Sequence, residues 1–105
     1  MHILIVNFNL KDMGDGESRE ISEQIAPAFA ELPGLISKTW LANPETNTYG
    51  GVYIWRDREA MENYKQTDIY KGVEANPHFE NLSVKDFGVM EEPTRITRGL
   101  AGVAA

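Results

Sequence analysis

The sequence predicts an α+β fold: a four-stranded antiparallel sheet with helices on one face, in the order βαββαβ. Three observations carry this reading. Residues 2–10 form a dense apolar run, residues 17–32 carry apolar side chains at helical spacing, and two β-rich runs flank a turn-forming segment at 42–47. A chain of 105 residues is one domain in length, read as residues 1–95 followed by a C-terminal tail at 96–105.

In the first run, Leu4, Val6, Phe8 and Leu10 share one face and Ile3 and Ile5 the other, so both faces are apolar apart from Asn7 and Asn9. A strand covered on both sides fits that pattern. Residues 11–16 hold two glycines and two aspartates and read as a loop. From Glu17 onward Ile21, Ile25, Phe29 and Leu32 mark one side of an amphipathic helix, which Pro27 should kink or break late and Pro33-Gly34 should end. Residues 35–41 and 48–55 should pair as a hairpin, with Gly50-Gly51 marking a bulge or a close backbone approach. Asp57 is placed to cap a helix carrying Ala60, Met61 and Tyr64, and Thr67 or Asp68 to cap a further short one. After Asn76-Pro77, residues 82–90 form the last strand with Val84, Phe87 and Val89. The segment from Glu91 has little periodicity and reads as loosely ordered or lying across a partner.

Helices on one face leave the other face of the sheet without a cover, and a second copy of the same sheet supplies one. The expectation is a homodimer through sheet-to-sheet packing. The face of Leu4, Val6 and Phe8 is taken as the contact, so that Val6→Asp should give monomer or aggregate.

Composition excludes several function classes. Ten Lys and Arg against 16 Asp and Glu give a net charge of −6, and the basic residues are scattered singly, which argues against nucleic acid and anionic membrane surfaces. The absence of cysteine removes disulfides, thiolate nucleophiles and zinc–thiolate sites. The apolar start has no basic residue before it and is followed by Asn7 and Asn9, unlike a signal peptide or membrane span, so the protein is expected in the cytoplasm. Gly14-x-Gly16 lacks the third glycine of a dinucleotide turn, and neither a P-loop nor a Gly-x-Ser-x-Gly elbow occurs. With only His2 and His78, and with Glu91, Glu92 and Asp86 read as solvated acids, no metal site is expected.

What remains is a concentration of rings. Tyr49, Gly51, Tyr53 and Trp55 share a strand face, and Trp40 stands on the hairpin partner. These rings either fill the core or wall a pocket for a flat aromatic guest, and Tyr64 and Tyr70 are open to the same two readings. Asn7 interrupts an apolar strand, where an unpaired amide costs about 1–3 kcal/mol, so it bonds either a loop backbone or a ligand oxygen. His78 is either an exposed loop residue or a proton acceptor near neutral pH. Lys38 either attracts an anionic substrate or packs its stem on the sheet with a wet ammonium.

Leu32-Pro33-Gly34-Leu35, Lys38-x-Trp40, Gly50-Gly51-x-Tyr53-x-Trp55 and Phe87-x-Val89-x-x-Glu92-Pro93 occur in order along the chain. Together they resemble the YdhR-like putative monooxygenase family over residues 2–95. That family belongs to the dimeric α+β barrel superfamily and is related to the antibiotic-biosynthesis monooxygenases. The resemblance implies a homodimer whose two sheets close a barrel, with a pocket in each subunit between sheet and helices. It also implies oxidation of phenolic compounds by O₂ without bound metal or flavin. In haem-degrading relatives an Asn on the first strand, a Trp at the end of the third and a His near the last helix act together. Asn7 and Trp55 fall at comparable places and His78 only loosely so, because it follows Pro77 outside an evident helix; haem is not carried over.

The expectation is therefore a cofactor-independent monooxygenase acting on an aromatic, phenolic or quinol-like compound. Asn7, His78 and Tyr53 are expected to be catalytic, and Trp40, Tyr49, Trp55, Tyr64 and Tyr70 to bind substrate, with no cofactor and no metal. A non-catalytic binding protein and an isomerase or lyase on the same scaffold are the alternatives.

Overall fold

The apolar run at the start of the chain forms β1 (His2–Leu10), and the rest of the fold is arranged around it. In the computed structural model, which describes residues 1–99, β1 lies between β3 (Thr48–Trp55) and β4 (Phe79–Gly88), antiparallel to both. β2 (Leu35–Asn43) pairs with β3 at the edge, giving the order β2-β3-β1-β4. With α1 (Asp15–Ala30), α2 (Arg58–Tyr64), α3 (Asp68–Ala75) and α4 (Glu91–Ile96), this is the α+β, ferredoxin-like arrangement that the sequence pattern predicts.

Local chemistry sets the boundaries. The Asp57 carboxylate accepts from the Ala60 amide at 2.8 Å and the Thr67 hydroxyl from the Tyr70 amide at 3.2 Å, which starts α2 and α3 where the capping residues stand. α1 runs through Pro27 to Ala30 rather than breaking there. The proline deprives only the Glu23 carbonyl of its helical partner, and that residue is exposed. β4 begins at Phe79, earlier than its sequence pattern, because the Phe79 ring stacks on Phe8 with centroids 3.8 Å apart. A bulge at Asn7/Asn9 absorbs the register change, and Asn81 takes φ +56° within it. Gly50 has φ +152°, and a Cβ there would stand 1.8 Å from the Val6 carbonyl oxygen, so the strand crossing admits only glycine.

The two faces of the sheet differ. Leu4, Val6, Tyr53 and Trp55 are buried against Phe29, Met61, Tyr64 and Tyr70 from the helices of the same chain. This overturns the expectation that the face of Leu4, Val6 and Phe8 meets a partner. Strand alternation turns those side chains to the helices and turns Ile3 and Ile5 to the open side, beside Val52, Ile54 and Phe87 on the paired strands. Val6→Asp would therefore place a carboxylate in the core.

Beyond β4 the chain forms α4 instead of a loose segment, with a Glu92–Arg95 ion pair on its surface. The tail set at residues 96–105 starts at the end of this helix, and from residue 100 it lies outside the described residues. Asp86 pairs with His2 at 2.6 Å, and Glu91 lies 3.9 Å from the N-terminal amine. Among the described residues no group of three His, Asp or Glu is placed to hold a metal ion, and no helix is long and apolar enough to cross a membrane.

Candidate functional site

A cavity of about 410 Å³ opens between α1 and the part of the sheet where β2 and β3 meet. That volume falls in the range of small-molecule sites. Its floor is Lys38 and Trp40 from β2 with Tyr49, Gly51 and Tyr53 from β3; Phe29, Ile21 and Ile25 of α1 form the roof, and Phe8 and Phe79 close one end. The void exists because α1 does not settle on the sheet along its whole length. Of its apolar stripe only Phe29 is buried, whereas Ile21 and Ile25 remain 36% and 42% exposed above the opening.

Lys38 occupies the floor of this cavity. Its Nζ lies 3.4 Å from the centre of the Trp40 ring, 3.6 Å from Phe29 and 4.5 Å from Tyr53. Phe29 and Trp40 meet edge to face at 79°, forming a corner into which the amine fits. Gly51 leaves room for the stem: a Cβ there would stand 2.8 Å from Lys38 Cε. Among the described residues no carboxylate or other acceptor lies within hydrogen-bond or ion-pair distance of this amine. Burial without a counter-charge disfavours the ammonium and brings its pKa down to about 7, while the three rings favour the charged form once it arises.

The tyrosine hydroxyls around it are committed elsewhere. Tyr53 and Tyr64 share a hydrogen bond at 3.2 Å, and burial raises both phenols, Tyr64 to about 12 and Tyr53 further. Both stay protonated across the working range and act as donors or acceptors, not as bases. The Tyr49 hydroxyl donates to Asp15 Oδ1 at 2.7 Å, and Arg19 Nε donates to the other oxygen at 2.9 Å. The Tyr49 hydrogen bond, then the Arg19 bond, holds the Asp15 carboxyl below its ordinary value, and the same partnership raises the Tyr49 phenol. This triad ties the first turn of α1 to the sheet beside the cavity.

The residues expected from sequence separate into three groups. Trp40, Tyr49 and Tyr53 line the cavity. Trp55, Tyr64 and Tyr70 lie next to it within the core: Trp55 stacks on Tyr53 at 6.0 Å and 7°, meets Tyr64 at 5.1 Å, and Tyr64 meets Tyr70 edge to face at 5.3 Å. The buried Trp55 Nε1 has no hydrogen-bond partner, so this ring serves packing at the cost of an unpaired donor. Asn7 and His78 stand outside the cavity. Asn7 follows Val6 in strand alternation and so projects from the open face, with a long 3.5 Å bond to the Tyr49 carbonyl. His78 Nδ1 bonds the Lys11 carbonyl at 2.8 Å, while its neighbours Asn76 and Phe79 reach the cavity wall.

The sequence leaves Lys38 open between attracting an anionic substrate and packing its stem with a wet head; its partial burial depends on α1 bringing Phe29 over it, which no local pattern encodes. Phe29 was visible as a helix-face residue, but Phe79 fell in a segment read as loop.

The chain matches the family model described as "Putative mono-oxygenase ydhR" over residues 3–100. Among solved structures it is similar to a putative antibiotic biosynthesis monooxygenase from Deinococcus radiodurans, with 15% identity, TM-score 0.72 and coverage of 87% of this chain and 94% of that one. It is also similar to a variant of SnoaB, a cofactor-independent oxygenase from Streptomyces nogalater, at 18% identity and TM-score 0.66 over 86% and 94% of the two chains. A variant of MhuD with two manganese protoporphyrin IX molecules bound per active site matches at 20% identity and TM-score 0.68, over 86% and 95%. At these identities the likeness shows a common fold. No match was found among curated proteins.

Proposed function

The chain belongs to the family described as putative mono-oxygenase ydhR, and we propose that it oxidises a small aromatic, phenolic or quinol-like compound with O₂, without a cofactor, in the cavity beneath α1. One observation carries the reading: a cavity large enough for a small polycycle, walled by rings and holding a half-buried amine with no counter-charge beside it among the described residues. Ground-state O₂ is a triplet and resists two-electron attack, but an electron-rich oxyanion can give it one electron directly. The protein then has to bind the guest flat, exclude water and favour its anionic form. Trp40, Tyr49 and Tyr53 supply the wall in this proposal, and Trp55, Tyr64 and Tyr70 hold that wall in place. The description of SnoaB as a cofactor-independent oxygenase agrees with this chemistry. A haem reading finds less support, since neither His2 nor His78 lines the cavity to offer an imidazole to iron.

The test is a binding screen of phenolic polycycles and quinols, read by tryptophan quenching, with dissolved O₂ followed for every hit. Saturable quenching that disappears in Trp40→Phe, together with O₂ consumption in step with product, is the expected result. Binding without O₂ loss would overturn the oxygenase reading in favour of a binding protein, and turnover without O₂ in favour of an isomerase or lyase.

The proposal extends to a cytoplasmic homodimer joined through the open face of the sheet. Ile3, Ile54 and Phe87 lie abreast there, followed by Ile5 and Val52, all outside the core cluster; Thr94 of α4 borders a shallow hollow with Ile3 and Ile54, and among the described residues the face is otherwise half-open. An apolar sheet face calls for a second layer, and a two-fold copy presents the same face in return. Ile54→Asp is expected to yield monomer or aggregate by light scattering while leaving the core intact; an unchanged dimer would remove this contact.

A further inference from the structure

We propose that Lys38 is the base that takes the hydroxyl proton from the guest, so that the cavity selects acidic hydroxyarenes and enols and holds them as anions. This rests on the reading that the cavity takes an aromatic hydroxyl compound, and it assigns the proton-transfer step to a residue of this chain. The step is balanced within the complex. The guest O–H bond breaks, an N–H bond forms on Lys38 Nζ, and the electron pair stays on the guest oxygen; an ammonium–oxyanion pair results with no other reagent.

Geometry singles out Lys38 from the groups that could do this. The Tyr53 hydroxyl is bonded to Tyr64, the Tyr49 hydroxyl to Asp15, and Arg19 to the other oxygen of Asp15. His78 is bonded to the Lys11 carbonyl outside the cavity. Lys38 is the amine on the cavity wall with no acceptor among the described residues, and Glu23, the carboxylate that also lines the cavity, is exposed on α1. Its ammonium is costly there because no carboxylate of the described residues lies within ion-pair distance, and an oxyanion within reach supplies the opposite charge. The rings of Phe29, Trp40 and Tyr53, 3.4–4.5 Å from Nζ, then stabilise the cation that proton transfer creates. Free, the site favours the neutral amine above about pH 7; occupied by an acidic hydroxyl compound, it favours the ion pair.

This exchange has a distinctive pH signature. Between the amine pKa of about 7 and the guest's own pKa, free protein and free guest are both neutral, so forming the ion pair moves no net proton and affinity is flat. Below that window the guest proton must be released to solvent, and above it a proton must be taken up. Affinity therefore falls by about tenfold per pH unit on either side. The other titratable groups on the cavity are Arg19 and Glu23 from α1 and Tyr49 and Tyr53 from β3; β1, α3 and β4 bring no charged side chain to it. Glu23→Gln checks that the lower limb does not belong to that carboxylate.

The experiment is an anaerobic titration with 7-hydroxycoumarin, whose neutral and anionic forms absorb at different wavelengths, from pH 5 to 10. Wild type is expected to bind it as the anion at pH values where the free compound is neutral, with the flat-topped affinity profile. Lys38→Arg, a fixed cation, is expected to bind the anion with affinity that rises to the guest pKa and then stays level. Lys38→Met is expected to bind the neutral form only. A neutral probe in wild type, an anionic probe in a folded Lys38→Met, the same profile in wild type and Lys38→Arg, or no saturable binding to wild type would each overturn the proposal. Because O₂ is absent, this titration reads proton transfer alone; the O₂ uptake followed with quinols and phenolic polycycles tests the oxygenase reading separately, and its failure would leave the role of Lys38 standing.

Discussion

The covered face of the sheet is one surface with two different ends. At the Trp55 end, Leu4, Trp55 and Met61 are sealed and the rings pack on one another. Toward Tyr49, rings of the same kinds frame a void with a lysine in it. Tyr53 belongs to both, stacked on Trp55 on one side and facing Lys38 on the other. The difference lies in the helix above. α2 turns the small Ala60 and the flexible Met61 to the sheet, and Ala60 lies so close to the Gly34 backbone that a Cβ on Gly34 would meet its own at 2.5 Å. α1 is fastened at its two ends, by the Tyr49–Asp15 bond and by Phe29, and between them it stands clear. Residue type does not tell core from pocket here; the reach of the opposing helix does.

The largest test of that contrast is a pair of tryptophan truncations. Trp55→Ala removes a fully buried ring and is expected to cost about 3–5 kcal/mol in urea unfolding. Trp40→Ala opens a surface that already borders a cavity, so a cost nearer 1–2 kcal/mol is expected, with guest affinity reduced by tenfold or more. Equal stability losses would mean that Trp40 is core and the cavity is not a built site.

Much of the fold was legible because its signals are local. The apolar run at residues 2–10, the period-two rings of 48–55, the caps Asp57 and Thr67, and the stop at Pro33-Gly34 each act within a few residues. The start of β4 was misplaced because Phe79 is drawn into the sheet by Phe8, a contact across most of the chain. The inward face of β1 was assigned to a partner for a similar reason: both faces are apolar, and only the placement of the helices decides which they cover. At the site, period-two spacing identified the ring-bearing face but not where it ceases to be packed. Lys38 was ambiguous because an amine on a strand is wet or buried according to whether Phe29, nine residues earlier on another element, lies over it.

Lys38→Met exposes the stability cost of the unpaired amine. A lysine whose folded-state pKa is lowered binds fewer protons folded than unfolded between about pH 7 and its ordinary value near 10.5, so its penalty is full at and below pH 7 and fades as pH rises toward 10.5. Met fills much of the same space without the charge. The variant is expected to be more stable than wild type by about 1–2 kcal/mol at pH 7, a figure reduced for water at the cavity mouth and for the cation–π contacts that are lost. The gain should shrink as the pH approaches 10. Thermal unfolding of both proteins at pH 6, 7 and 9.5 measures it, and a gain that is constant with pH would show that packing, not charge, is responsible.

The smallest effect is expected at Gly51, which distinguishes a rigid floor from a yielding one. An added Cβ meets Lys38 Cε at 2.8 Å, Tyr53 Cε1 at 3.3 Å and the Thr39 carbonyl oxygen at 3.4 Å. The first of these belongs to a flexible stem beside empty space, so it can swing away. Alanine also favours the strand over glycine by about 0.5–1 kcal/mol, which offsets the crowding. Gly51→Ala should therefore fold with stability within about 1 kcal/mol of wild type, while the displaced amine moves toward solvent and its pKa rises from about 7. An NMR titration of the labelled lysine amines reads that shift directly. A stability loss comparable to that of Trp55→Ala would mean that the Lys38 stem is packed as tightly as the core, and the contrast between the two ends of the sheet would not hold.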